Sequence, residues 1–141
     1  MNITLREVDI DNFHDVIALH VDKHCASNEY SLAQAKVQPE CIPMAIYNDE
    51  TIVGFLMYCI DRDDGNYWIY RLMIDEKYQK NGYGRKALEI IIEKIKQKKT
   101  HNRINISTEP ENVIAIKLYK ELGFYETGDF VGDEIILALE Y

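Results

Sequence analysis

The chain has 141 residues, 47% hydrophobic and 28% charged, which excludes a disordered chain and suits one domain with a substantial core. Its net charge of −8 excludes general nucleic-acid binding, which rests on basic charge facing phosphates. No apolar run approaches the roughly 18–20 residues of a membrane span, and the start MNITLREVDI carries neither a basic leader nor a long apolar stretch, so a cytoplasmic protein is expected.

Residues Asn2 to Val8 alternate like a half-buried strand, and Asp9 to Asn12 offer caps for a helix in which Phe13, Val16, Ile17, His20 and Val21 share a face. A short second helix is predicted over Ser31 to Val37, stopped before Pro39. Met44 to Tyr47 and Thr51 to Ile60 flank Asn48-Asp49-Glu50, a hairpin signature, and the polar turn Asp61 to Asn66 leads to a strand over Tyr67 to Asp75. After two glycines, Leu88, Ile91, Ile92 and Ile95 fall at i, i+3, i+4 and i+7, the stripe of a helix packed on a sheet. Arg103 to Thr108 reads as a strand, Asn112 to Leu122 as a helix closed by Gly123, and Phe124 to Glu140 as a hairpin turning near Val131-Gly132-Asp133. The order βααβββαβαββ predicts a mixed α/β domain spanning residues 1–141.

Charge is unevenly spread. Ten of the sixteen Lys and Arg lie between Arg71 and Arg103 against four acids, giving +6 there and −14 elsewhere. That segment brackets the turn Gln79-x-x-Gly82-x-Gly84, between a strand and a helix. Gly82 and Gly84 let the backbone take left-handed angles and let a ligand approach closely, and the first N–H groups of the helix have no partner within it. Together they form an anion site whose usual occupant is a phosphate. The spacing lacks the third glycine of the dinucleotide fingerprint and the Lys-Ser/Thr of a P-loop.

Further along, "ENVIAIKLYKELGF" resembles the helix and Gly-Phe turn that follow the fifth strand in the GNAT superfamily of N-acetyltransferases, and Q-x-x-G-x-G resembles that family's pyrophosphate loop. "WIYRLMIDEKYQKNGYG" and "GDEIILALE" look most like the bacterial spermine/spermidine acetyltransferases. The resemblance implies the GNAT fold, a mostly antiparallel sheet splayed between its fourth and fifth strands and flanked by about four helices. It implies acetyl-CoA as cosubstrate, a small cationic amine as acceptor and frequent pairing as homodimers; direct transfer is expected because no Cys lies in either motif to carry an acetyl group. It further implies that Gln79, Lys80, Asn81, Gly82, Tyr83, Gly84, Arg85 and Lys86 hold the pyrophosphate, the backbone of Leu72, Met73 and Ile74 holds the pantetheine arm, and Asn112 and Ala115 flank it. Tyr119 matches the tyrosine that returns a proton to the departing thiolate. A phenol of ordinary pKa about 10 can protonate a thiolate whose acid has a pKa of about 8.5.

Polyamine acetyltransferases typically carry an acidic residue on the fourth strand just before the cofactor-binding run, where this chain has Tyr70 and then Arg71. The general base is therefore expected elsewhere, with Glu109 favoured and Glu111 and Glu29 as alternatives, acting through water. Other acceptors, a protein or peptide amine or an amine-bearing antibiotic, and a non-catalytic acyl-CoA sensor stay open. The acceptor pocket is expected from the first two helices and the terminal hairpin. His20 and His24 stand four apart on the first predicted helix with Cys25 adjacent, but no third ligand follows and no zinc site is expected. Cys25, Cys41 and Cys59 are odd in number and lack C-x-x-C spacing, so free thiols are expected. Tyr67, Trp68 and Tyr70 read as strand packing rather than a platform for bases.

Overall fold

A computed structural model describes residues 1–20 and 26–141. Seven strands form one sheet in the order β1-β2-β3-β4-β5-β7-β6. They are β1 (Ile3–Glu7), β2 (Ile42–Asn48), β3 (Thr51–Ile60), β4 (Tyr67–Ile74), β5 (Arg103–Thr108), β6 (Tyr125–Val131) and β7 (Glu134–Glu140). The helices are α1 (Phe13–Ile17), α2 (Asn28–Val37), α3 (Tyr83–Gln97) and α4 (Val113–Glu121). All neighbouring strands are antiparallel except β4 and β5, which run parallel because α3 crosses over between them. Among the described residues no helix is long and apolar enough to cross a membrane.

Alternation along the strands builds two cores. Met44, Ile46, Leu56, Tyr58 and Ile69 face α3 and α4, whose Leu88, Ile91, Ile95 and Tyr119 are buried against them. Ala45, Tyr47, Phe55, Met57, Cys59 and Trp68 face the other way, toward Val16 of α1 and Leu32 and Ala35 of α2. Seven consecutive residues of β3, Val53 to Cys59, are buried, which is why this strand is an apolar run rather than an alternating one. Gly54 sits in that run for a steric reason, since a β-carbon there would lie 2.4 Å from the Met73 carbonyl oxygen on β4.

The predicted strands and the stripe of α3 match the structure closely; the first two helices differ. α1 stops at Ile17 because the chain is captured soon afterwards: the His20 backbone N–H donates to Asp75 Oδ2 at 2.9 Å, which is incompatible with a continuing helix ladder. His20 is thus outside the helix, and Val21, His24 and Cys25 of the same expectation lie outside the described residues. α2 begins three residues earlier than predicted, at Asn28. Ser27 caps it by accepting the Tyr30 N–H at 3.1 Å, and the buried Asn28 Nδ2 donates to the Val16 carbonyl at 2.9 Å, tying α2 to α1. Cys41 and Cys59 are free and buried, and burial pushes the Cys59 thiol up to about 12.

Candidate active site

β4 and β5 are paired at three positions only, ending at Ile69 and Ile106, although β4 continues to Ile74. Beyond that fork the strands part, and the edge of β4 from Tyr70 to Ile74 loses its neighbour. A cleft of about 890 Å³ fills the gap. Its floor is Leu72, Met73 and Ile74; one end is the turn leading into α3, and α4 closes a side through Asn112, Ala115, Leu118 and Tyr119.

The turn is held open by specific contacts. Gly82 caps α3 in the left-handed region at φ 79°, where a side chain would be strained, and Lys80 also takes positive φ, at 67°. Gln79 Nε2 donates to the Ile74 carbonyl at 2.9 Å, pinning the turn to the end of β4. Asn81 Nδ2 donates back to the carbonyls of Tyr78 and Gln79, at 2.9 and 3.2 Å. The first helical bond is Lys86 N–H to Gly82 C=O at 3.1 Å, so the N–H groups just before it, up to Arg85, have no partner within the helix. Gly84 has no left-handed angle; a β-carbon there would meet only Ile74 Cγ1, at an ordinary 3.6 Å. The fold therefore does not require glycine at 84.

Of the residues singled out in the sequence, Leu72, Met73, Ile74, Gln79, Lys80, Gly82, Tyr83, Gly84, Asn112, Ala115 and Tyr119 line the cleft together. Four do not. Asn81 is folded onto its own turn, and the Arg85 guanidinium is drawn sideways to Glu121 at 2.9 Å and Glu89 at 3.5 Å. Lys86 lies exposed beside Glu89 and Glu93 in a separate groove. Glu109, just past β5, is half-buried off the cleft, while Glu111 and Glu29 are exposed. Asn112 caps α4, its Oδ1 accepting the Ala115 N–H at 3.4 Å while its Nδ2 donates to Thr108 Oγ1 at 3.2 Å. Tyr119 is 7% exposed and packs on Phe124 of the Gly-Phe turn, ring centroids 6.0 Å apart.

The far end of the cleft holds what the motifs did not indicate. α2 supplies Gln34, the terminal hairpin supplies Val131, Gly132 and Glu134, and the β3–β4 turn supplies Asp61; among the described residues none of α1 lines it, and Val21 of the predicted first helix lies outside them. β4 is bulged here: Met57 pairs with Arg71 and Tyr58 with Ile69, leaving Tyr70 as the extra residue. The bulge breaks the alternation, so that Tyr70, packed on the α1/α2 core, and Arg71, whose Nη2 donates to Gln34 Oε1 at 2.9 Å, lie on one side of the sheet. Tyr70 Oη donates to Asp61 Oδ2 at 2.5 Å. Burial, and then this bond, push the Tyr70 phenol far above its ordinary pKa. Burial alone would raise Asp61, but the Tyr70 hydroxyl and the N–H groups of Asp63 and Asp64 outweigh it and hold the carboxyl below its ordinary value. Only the turn composition of Asp61 to Asn66 hinted at this acid. Among the described residues no cluster of three His, Cys, Asp or Glu could hold a metal, and His24 and Cys25 of the rejected zinc set lie outside them.

A sheet that forks between its parallel strands, beside a helix mouth whose first N–H groups have no partner within the helix, is the arrangement that the GNAT resemblance implied. The model of the acetyltransferase (GNAT) family matches residues 7–124, and the chain belongs to that family. It is an acetyl-CoA-dependent N-acetyltransferase. The spermine/spermidine N(1)-acetyltransferase of Bacillus subtilis strain 168 is 32% identical, over 97% of this chain and 98% of that protein. Two solved structures share the fold over the full length of both chains. The PaiA N-acetyltransferase of Thermoplasma acidophilum in complex with coenzyme A has a TM-score of 0.73 at 19% identity. Arabidopsis thaliana Naa50 in complex with a bisubstrate analogue has 0.76 at 17%.

Proposed function

We propose that the protein acetylates a primary amine of a small polyamine such as spermidine or spermine, by direct attack within the forked cleft. The observation that carries this reading is the parting of β4 from β5 beyond Ile69, directly beside the unpaired N–H groups at the mouth of α3. The polyamine relative supports the choice of acceptor.

Acetyl-CoA, when bound, supplies the thioester whose carbonyl carbon the amine nitrogen attacks. The N–H groups of residues 80 to 85 would receive its pyrophosphate, with Gly84 bare so that the diphosphate can come within hydrogen-bonding distance. The exposed edge of Leu72, Met73 and Ile74 would pair with the pantetheine amides as a strand pairs with its neighbour, and one N–H would polarise the thioester carbonyl. Asn112 holds the start of α4 and Ala115 leaves room beside it. Tyr119, on the next turn of that helix, gives its phenolic proton to the thiolate as the carbon–sulfur bond breaks. Glu109 lies off the cleft, so it could take the amine proton only through water. Among the described residues no cysteine lines the cleft, and neither sequence motif contains one to carry an acetyl group, which favours direct transfer over a covalent relay.

The test is thiol release with spermidine, spermine, putrescine, a panel of peptides and an aminoglycoside, in wild type and Tyr119→Phe. Turnover is expected with the polyamines, and kcat is expected to fall by about 10² or more in the variant, the range for losing a general acid. Tight acetyl-CoA binding with no thiol released from any amine would mark a sensor. Release with peptides alone would mark a protein acetyltransferase.

A further inference from the structure

The proposed reaction leaves two cleft-lining carboxylates idle, Glu134, whose Oε1 accepts from Ser107 Oγ at 2.7 Å, and Asp61, which stands among aromatic rings. Asp61 lines the cleft half-buried, and both its oxygens are engaged: Oδ2 by Tyr70 Oη at 2.5 Å, Oδ1 by the N–H groups of Asp63 and Asp64 at 2.7 and 3.3 Å. A carboxylate that accepts three donors is a fixed negative charge and a poor proton acceptor. Two aromatic rings accompany it. Trp68 and Tyr70 line the same end of the cleft with centroids 6.3 Å apart, and the Trp68 Nε1–H is spent on Asp64 Oδ2 at 2.8 Å, so the indole offers the cleft its ring rather than its donor. A carboxylate among aromatic faces is the chemistry that recognises an alkylammonium.

The position along the cleft says which ammonium. β4 runs from Tyr67 toward the turn at α3, so Leu72 to Ile74 lie on the donor side of Tyr70, and Asp61 lies on the other side. Arg71 stands between. Its guanidinium donates to the Tyr70 carbonyl at 3.0 Å and to Gln34 Oε1 at 2.9 Å, while its buried Nε has no partner. A neighbouring cation disfavours protonation of an amine, and an anion favours it. A nitrogen near Arg71 is thus kept neutral and nucleophilic, and a nitrogen near Asp61 is kept charged.

We propose that Asp61, framed by Trp68 and Tyr70, binds a second, non-reacting ammonium of the acceptor, so that the enzyme selects di- and polyamines over monoamines. This rests on the polyamine reading above and adds to it a residue and a rule of selection. The chain length between the two nitrogens is what the subsite measures.

The experiment is steady-state thiol release at saturating acetyl-CoA with n-butylamine, putrescine, cadaverine and spermidine. Wild type, Asp61→Asn and Tyr70→Phe are compared, with acetyl-CoA binding by calorimetry as the check on folding. In Asp61→Asn the ratio of spermidine to butylamine kcat/KM is expected to fall at least tenfold, through KM for the amine and not KM for acetyl-CoA. Tyr70→Phe, which keeps the ring and the anion, is expected to lower the ratio less. In the wild-type enzyme KM for spermidine should rise with ionic strength more steeply than KM for butylamine. An unchanged ratio in Asp61→Asn, or equal salt dependence of the two amines, overturns the subsite while polyamine turnover by wild type leaves the broader reading standing. Wild-type turnover with peptides and none with these amines overturns both.

Discussion

The two ends of the cleft are built in opposite ways. In the proposed function the donor end comes from one continuous stretch, residues 72 to 84, whose backbone would do the binding and whose side chains mostly serve the fold: Gln79 and Asn81 brace the turn, and Tyr83 Oη accepts from Asn48 Nδ2 at 3.1 Å. The acceptor end is assembled from side chains of α2, the β3–β4 turn, the bulge in β4 and the terminal hairpin. A backbone cradle depends on local conformation, which short motifs specify. A side-chain pocket depends on which distant segments meet, which they do not. Mutations should accordingly act on donor affinity at one end and on acceptor choice at the other.

Tyr119 sits where the ends meet, and its replacement by Phe carries the largest expected effect, the loss in kcat given above with acetyl-CoA affinity retained. A drop in affinity of similar size would mean that Tyr119 is a packing residue of the donor end. Gly54→Ala should come next. Its β-carbon would meet the Met73 carbonyl oxygen at 2.4 Å, and relieving the overlap should cost about 1–3 kcal/mol of stability in denaturant melts. The strand that must move is the floor of the donor end, so KM for acetyl-CoA should rise more than KM for the amine.

Gly84→Ala separates fold from function most sharply. The fold has room for the methyl group, and Ala is a better helix former by up to about 1 kcal/mol, so thermal stability should hold or rise slightly. Acetyl-CoA affinity should nevertheless fall about tenfold, because the methyl group stands between the N–H groups and the diphosphate. Unchanged affinity by calorimetry would move the diphosphate elsewhere.

The smallest effect on activity concerns Asp75, which ties the segment after α1 to the turn before α3 and acts on stability instead. Burial raises its pKa, but the backbone N–H groups of His20 and Lys77, at 2.9 and 3.0 Å, and the Lys77 charge outweigh it and hold the carboxyl below its ordinary value. A group depressed in the fold contributes stability that is complete above its unfolded pKa of about 4 and is lost as pH falls through the lower native value. Asp75→Ala should cost about 1–3 kcal/mol at neutral pH and flatten the acid limb of the stability curve below about pH 4. An equally steep limb in the variant would assign it to other carboxylates.

The extent of α1 shows why parts of the fold were illegible. Phe13, Val16, Ile17 and His20 do have helical spacing, yet the helix ends early because Asp75, fifty-five residues away, takes the His20 N–H. The second helix starts before Ser31 because Ser27 caps it, and the polar Asn28 is accommodated in the core by bonding to Val16. Asp61 looked like any turn aspartate. Its meaning came from Tyr70, and Tyr70 reaches it because an extra residue in β4 turns two consecutive side chains toward α2.

By itself the sequence determined the order of elements, the amphipathic stripe of α3, and the glycine turn before it. These depend on apolar periodicity and on backbone angles, which neighbouring residues control. Only the tertiary structure decided where β4 leaves β5, which charges face the gap, and that an aspartate from a neighbouring turn stands behind Tyr70. Those are matters of register between segments distant in the chain, and a bulge of one residue is enough to change them.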